Sequence, residues 1–210
     1  MRLLIAIPTL DYVHSEFVRC LTDLIARLNM DRISYEVKIQ SGTLVYVARD
    51  KLAKYAINND FTHVLWLDSD VVFGADVLDD LMFSGHDFVS GIYHSRRPPF
   101  MATVFRSIDP IDRYTCDTYP AEPFRIAGCG FGCVLVTVAI LRQIMLDHKT
   151  CFCPFPSYGE DLAFCKRCTD GGIAIYADPS VRLGHIGHIT VYPEDSIRYF
   201  EQLGGETRGE

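Results

Sequence analysis

Two short runs without a charged residue, Leu3–Ile7 (LLIAI) and Thr62–Leu67 (THVLWL), narrow the choice of fold more than any other feature of the chain. A run that does not alternate apolar with polar residues is the pattern of a strand covered on both faces. Between the two runs lies a segment from about Ser15 to Leu28 in which Phe17, Cys20, Leu21, Leu24, Ile25 and Leu28 recur at helical spacing. Ser34–Gln40 reads as a second strand and Ser41-Gly42 as a turn. From Leu44 to about Asn58 a second helix is expected, with Val45, Ala48, Leu52 and Ala56 on its inner side. Strands that alternate with helices in this way specify an α/β fold, with a mostly parallel sheet between two layers of helices.

The second half is less regular. Phe88–Tyr93 and Ala102–Phe105 read as strands, and Arg106 to Pro123 as a polar excursion with a hairpin or loop. Gly128-Cys129-Gly130-Phe131-Gly132 leads into the apolar run Cys133–Val138, which is followed by a helix to about Leu146. Cys151–Gly159 is an irregular loop, Glu160–Thr169 a helix stopped by Gly171-Gly172, and Ile173–Tyr176 a strand. Leu183–Thr190 carries two histidines, and a last short helix is expected near Pro193–Leu203. With no repeat and no low-complexity linker, the expected organisation is one domain over 1–192, then a short helix and tail over 193–210.

Lys and Arg total 20 against 27 Asp and Glu, a formal charge of −7, and no basic stripe is visible. That balance argues against a protein that coats nucleic acid by bulk charge. The N-terminal apolar run meets Pro8 early and no small-residue cleavage site follows, so it reads as a strand and not as an export signal. No segment reads as a membrane span. The eight cysteines are therefore expected to be reduced thiols in a cytoplasmic protein.

The sharpest chemical feature is Asp68-Ser69-Asp70, which closes the THVLWL run. Side chains at i and i+2 of an extended chain point to one side, so both carboxylates face one crevice. They do so at the carboxyl end of a strand, where open α/β sheets bind ligands. Such a pair can hold a hard divalent cation that also takes oxygens from a diphosphate. The competing reading is a solvated turn in which Asp70 caps the next segment.

Ile7-Pro8-Thr9, Val47-Ala48-Arg49-Asp50, LWLDSD at 65–70, GCGFG at 128–132, GED at 159–161 and HIGH at 185–188 follow one another in that order. Together they resemble a nucleotide-sugar glycosyltransferase of the GT-A fold, close to the family-2-like group, over nearly the whole chain. The resemblance implies a GT-A-like (Rossmann-like) mostly parallel central sheet flanked by helices, with a smaller mixed sheet region in the C-terminal half. It implies a metal-dependent transfer of a sugar from a UDP- or GDP-sugar to an acceptor hydroxyl. It assigns Asp70 and Asp68 to Mn²⁺ or Mg²⁺, with a third ligand from His185 and His188 in reserve. Neutral imidazole suits Mn²⁺-type ions better than Mg²⁺. Pro8, Thr9, Arg49, Asp68 and Ser69 would bind the donor nucleotide, and Gly128, Gly130 and Phe131 would floor the sugar or acceptor pocket. Where the family helix often reads Ala-Arg-Asn, this chain has Asp50, so no role carries over to that position.

The same resemblance places the acid–base carboxylate at Glu160-Asp161, where it would take the acceptor proton. Against this, Ser157-x-x-Glu160 reads as a capping box and Asp161 as a first-turn carboxylate favoured by the helix dipole. Asp161 is therefore the preferred base. His94-Ser95-Arg96-Arg97 forms a small basic cluster that would meet a phosphate or an acceptor, or lie in a solvated loop. Cys151, Cys153, Cys165 and Cys168 offer the elements of a zinc site, although Cys165 and Cys168 also suit a helix's buried face. Two other functions stay open: a nucleotidyltransferase making a nucleotide sugar, and a non-catalytic sugar-nucleotide or zinc-binding module. At this length there is little room for a separate acceptor domain, so a partner protein or an oligomer would complete the acceptor site.

Overall fold

In the computed structural model, residues 1–116, 118–187 and 190–206 are described. The first half follows the alternation read from the sequence: β1 (Arg2–Pro8), α1 (Ser15–Met30), β2 (Ser34–Gln40), α2 (Val45–Asn58) and β3 (His63–Leu67). Next come β4 (Val71–Val72), α3 (Val77–Phe83), β5 (Phe88–Ile92), β6 (Val104–Ile108), β7 (Ile111–Arg113), β8 (Phe124–Ile126), β9 (Gly128–Cys129) and β10 (Cys133–Thr137). The chain continues with α4 (Val138–His148), α5 (Glu160–Asp170), β11 (Ile175–Arg182), β12 (Gly184–Ile186), β13 (Thr190–Val191) and α6 (Pro193–Glu206). Among the described residues no helix is long and apolar enough to cross a membrane.

Seven strands form the central sheet, in the order β2-β1-β3-β10-β5-β11-β8. The pairs β1–β2, β1–β3 and β5–β11 are parallel, whereas β10 and β8 run against their neighbours, so the sheet is mostly parallel as expected. The smaller region consists of two three-stranded sheets, β13-β12-β4 and β7-β6-β9, whose pairings are all antiparallel.

Period-two alternation sorts the core into two layers. Leu4, Ala6, Val64 and Trp66 pack on one face with Leu52, Ala53 and Ala56 of α2 and with Leu141 and Ile144 of α4. Leu3, Ile5, Ile7, Leu65 and Leu67 pack on the other with Phe17, Leu24 and Leu28 of α1 and with Leu78 and Leu81 of α3. The small side chains of α2 let its backbone lie close to the sheet, which brings Arg49, on the same buried side, over the strand ends.

Several local departures have clear causes. The short α3, rich in aspartate, lacked an apolar stripe long enough to read. The strand expected at 102–105 sits two residues later, because Ala102 is taken by an isolated bridge to His94. The strand expected at 173–176 begins at Ile175 and extends to Arg182, passing Pro179 at an irregularity in its pairing with β5, where a residue lacking N–H is tolerated. The capping box is absent: α5 starts at Glu160 itself, its cap position is Gly159, and no side chain caps it. Glu160 is thereby free to face the crevice.

Candidate functional site

β1 and β3 run side by side and end at the same edge of the sheet. Ser69 Oγ donates to Thr9 Oγ1 (3.2 Å), and Thr9 Oγ1 donates to the Tyr12 carbonyl (2.6 Å), which ties the two strand ends together. β10 returns antiparallel to β3, and its entering turn accepts the Asp68 N–H at the Gly132 carbonyl (3.0 Å). The Asp70 carbonyl accepts the Ile186 N–H (2.7 Å), so β12 lies beside the aspartates. A crevice of about 430 Å³ opens here, and its lining includes Pro8, Thr9, Arg49, Asp68, Asp70 and Glu160, with Ser69 and Asp161 beside them. Residues from Pro8 to Asp161 are thus brought to one rim, the carboxyl-end location expected for a ligand in such sheets.

Arg49 organises the floor of this crevice. Its side chain is 1% exposed, yet it faces three carboxylates: Nη2 lies 2.9 Å from Asp68, and Nε lies 3.5 Å from Asp161 and 3.7 Å from Glu160. The guanidinium also sits 5.2 Å above the Phe131 ring. Burial works against its charge, but Asp68, Asp161 and Glu160 together outweigh burial and raise its pKa. The carboxylates respond to the same enclosure. Burial raises the Asp68 pKa to about 6 despite Arg49, with Asp70 adding to the rise. Burial likewise raises Asp161 to about 7, with Arg49 opposing and Glu160 and Asp68 assisting. Asp161 Oδ2 accepts the Phe131 N–H (3.4 Å) while its Oδ1 is buried without a hydrogen bond.

The raised Asp161 pKa has a thermodynamic consequence. A carboxyl whose folded pKa lies above its unfolded value stabilises the fold below the unfolded value, and that contribution is lost as pH rises through the folded one. The stability that Asp161 contributes is therefore expected to be lost between about pH 4 and pH 7. Asp161→Asn should flatten that slope, which thermal melts across the window will read.

Asp70 and His185 form the second half of the site. His185 Nδ1 is 2.7 Å from the His94 carbonyl, which only accepts, so Nδ1 carries the proton. In the neutral ring Nε2 is then a bare acceptor, and it lies 3.6 Å from Asp70 Oδ2. Two acceptors facing each other favour a proton or a cation between them, and imidazole with carboxylate suits a divalent ion such as Mn²⁺. Burial opposes ionisation of Asp70, but a His185 ring protonated at Nε2, together with Arg96, overcomes it and holds the carboxyl below its ordinary value. Asp68 is turned toward Arg49, and among the described residues no three His, Cys, Asp or Glu side chains close on one point. His188, the reserve ligand, lies outside the described residues.

The glycine turn is placed differently from a pocket floor. The Phe131 ring is fully buried against Trp66, Phe88, Phe152 and Phe164, and Phe131 reaches the site through its N–H, which donates to Asp161 Oδ2. Gly128 packs on Leu162 and Cys165, and a Cβ at Gly130 would collide with the Tyr93 hydroxyl. These glycines are needed for close packing. The four cysteines considered for zinc do not gather either: Cys153 is exposed, whereas Cys151, Cys165 and Cys168 are buried. Burial raises the Cys151 thiol to about 12, which works against a thiolate ligand.

Asp50 is the residue whose part was not legible in the sequence. Its carboxylate accepts the Thr150 hydroxyl and the N–H groups of Cys151 (2.9 Å) and Phe152 (2.8 Å), pinning the loop that carries Phe152 under Arg49. Arg167 holds the same loop from the other side through the Cys151 and Cys153 carbonyls. Asp50→Ala should cost about 2–4 kcal/mol by stranding these donors. Asp50→Asn, which keeps an acceptor oxygen, should cost less than half as much, and urea denaturation of both variants checks the difference.

No protein-family model matches the chain, and no curated protein matches it. Solved structures do resemble it. The crystal structure of A197 from STIV superposes with a TM-score of 0.59 at 22% identity, covering 92% of this chain and 91% of that one. The catalytic domain of Drosophila β1,4-galactosyltransferase 7, crystallised with xylobiose, superposes with a TM-score of 0.52 at 13% identity, covering 86% of this chain and 66% of that one. The fold is GT-A-like: a large, mostly parallel sheet between helices, with small antiparallel sheets beside it.

Proposed function

We propose that the chain is a divalent-cation-dependent glycosyltransferase that moves a sugar from a nucleoside-diphosphate sugar to an acceptor hydroxyl. The observation that carries this reading is the pairing of Asp70 with His185 Nε2 at the rim where Asp68, Glu160 and Asp161 also converge. The likeness in fold to a galactosyltransferase catalytic domain supports it. The ordered motifs favour the family-2-like group.

On this reading Asp70 and His185 would hold Mn²⁺ or Mg²⁺, and Asp68 lines the same crevice while turned onto Arg49. When bound there, such an ion would supply Lewis-acid chemistry, neutralising charge on a departing diphosphate. Pro8, Thr9 and Ser69 line the crevice on the nucleotide side, with Arg49 beneath them fixing Asp68 and Asp161. In the transfer, the acceptor oxygen forms a bond to the anomeric carbon. The bond from that carbon to the diphosphate oxygen breaks, and its electron pair leaves with the nucleoside diphosphate. The acceptor's proton passes to Asp161 or Glu160. A carboxylate with a pKa near 7 is well matched to that proton transfer at neutral pH, and Asp161 has that value.

The test is a panel of UDP- and GDP-sugars offered with Mn²⁺ and with simple glycosides as acceptors. Release of nucleoside diphosphate that chelation abolishes supports transfer. Release of pyrophosphate from a nucleoside triphosphate and a sugar phosphate would instead identify a nucleotidyltransferase. Donor binding without turnover would identify a non-catalytic module.

A further inference from the structure

The basic cluster His94-Ser95-Arg96-Arg97 follows β5 and turns back on itself. Ser95 N–H donates to the Met101 carbonyl (2.9 Å), Ser95 Oγ to the Arg97 carbonyl (3.1 Å) and Phe100 N–H to the Arg97 carbonyl (2.9 Å). This turn delivers Arg96 to the rim. Its Nη1 lies 3.0 Å from Asp70 Oδ2 and donates to the Ile186 carbonyl (3.2 Å). Asp70 Oδ2 is the same oxygen that faces His185 Nε2. One cationic nitrogen therefore already sits on the oxygen proposed to hold the ion.

Arg96 differs from Arg49 in one decisive respect. The Arg49 side chain is 1% exposed and locked by three carboxylates, whereas the Arg96 side chain is 47% exposed and meets one carboxylate and one carbonyl. Arg96 can leave. Two positive charges on one carboxylate oxygen repel, so a divalent ion on Asp70 and the Arg96 guanidinium exclude each other there. A displaced guanidinium on this turn stays at the rim, and its planar fork matches the oxygens of a diphosphate.

Resting on the reading above, we propose that Arg96 is a built-in counter-cation that competes with the divalent ion for Asp70 in the free protein and is drawn off to the diphosphate when a nucleotide binds. Arg96 then acts as a positioning residue that couples the two ligands. The ion alone binds weakly because it must displace the guanidinium. A nucleoside diphosphate favours ion binding by giving Arg96 a new partner, and by linkage the ion favours the nucleotide to the same degree.

The experiment titrates Mn²⁺ into the intact protein, following free Mn²⁺ by its electron paramagnetic resonance signal, first alone and then with UDP or GDP present. Arg96→Gln should bind Mn²⁺ alone about two- to fivefold more tightly than wild type, the worth of one partly exposed ion pair. With UDP or GDP present the order should reverse, since the variant lacks the diphosphate contact. Arg96→Lys should stay near wild type for Mn²⁺ alone, because it keeps the competing charge. If Arg96→Gln binds Mn²⁺ alone no more tightly than wild type while Asp70→Ala loses Mn²⁺ binding, the competition is overturned and the ion site stands. If Asp70→Ala binds Mn²⁺ as wild type does, the ion site and the competition fall together.

Discussion

Arg49→Met is expected to destabilise the protein by about 3–5 kcal/mol at pH 8, the usual cost of removing one partner from a buried ion-pair network. The residue is enclosed, and Asp68, Asp161 and Glu160 lie within 4 Å of its nitrogens with little water to replace it. Methionine fills much of the volume over Phe131, so the loss reads mainly the stranded charge. The carboxyls left behind can relieve their repulsion by taking up protons. The penalty should therefore shrink as pH is lowered from 8 to 5, through the raised values of Asp161 and Asp68. Urea denaturation at the two pH values measures this. An equal loss at both would mean that packing, and not the uncompensated charge, is what Arg49 provides.

The second large effect is on turnover. Asp70→Ala should lower cation-dependent donor cleavage by on the order of 10²–10³-fold, the equivalent of several kcal/mol of lost charge stabilisation. The fold should survive, because the link from Asp70 to β12 runs through its backbone carbonyl and, among the described residues, its carboxylate meets Arg96 and His185. Thermal melting within a few degrees of wild type would accompany the lost turnover. Wild-type turnover in this variant would remove Asp70 from the proposed chemistry.

The sequence exposed some features and hid others for identifiable reasons. The buried strands over 2–8 and 63–67 were legible because a strand covered on both faces needs an uninterrupted apolar run. The helix at 15–30 was legible because Phe17, Cys20, Leu24 and Leu28 bury one stripe. The shared crevice of Asp68 and Asp70 was expected from the end of the strand that carries them, whereas Arg49 and Asp161 were expected beside it from the family resemblance; all four line one rim. Other features depended on tertiary context. Nothing local distinguishes Asp50 from a solvated helix residue, since its partners lie 100 to 102 positions away. The resemblance placed Gly128, Gly130 and Phe131 on a pocket floor, yet the space a Cβ would take is filled by Leu162 and Cys165 at Gly128 and by Tyr93 at Gly130. The capping pattern at Ser157 matched by spacing but not by backbone, since the helix begins three residues later.

The bonds from the 94–96 turn to His185 and Ile186 join residues 91 and 90 positions apart. Contacts that close such long loops incur the chain-entropy cost before they gain anything in return, and they form late in a folding reaction. The local hairpins and helices can thus be complete while the imidazole is still far from its aspartate.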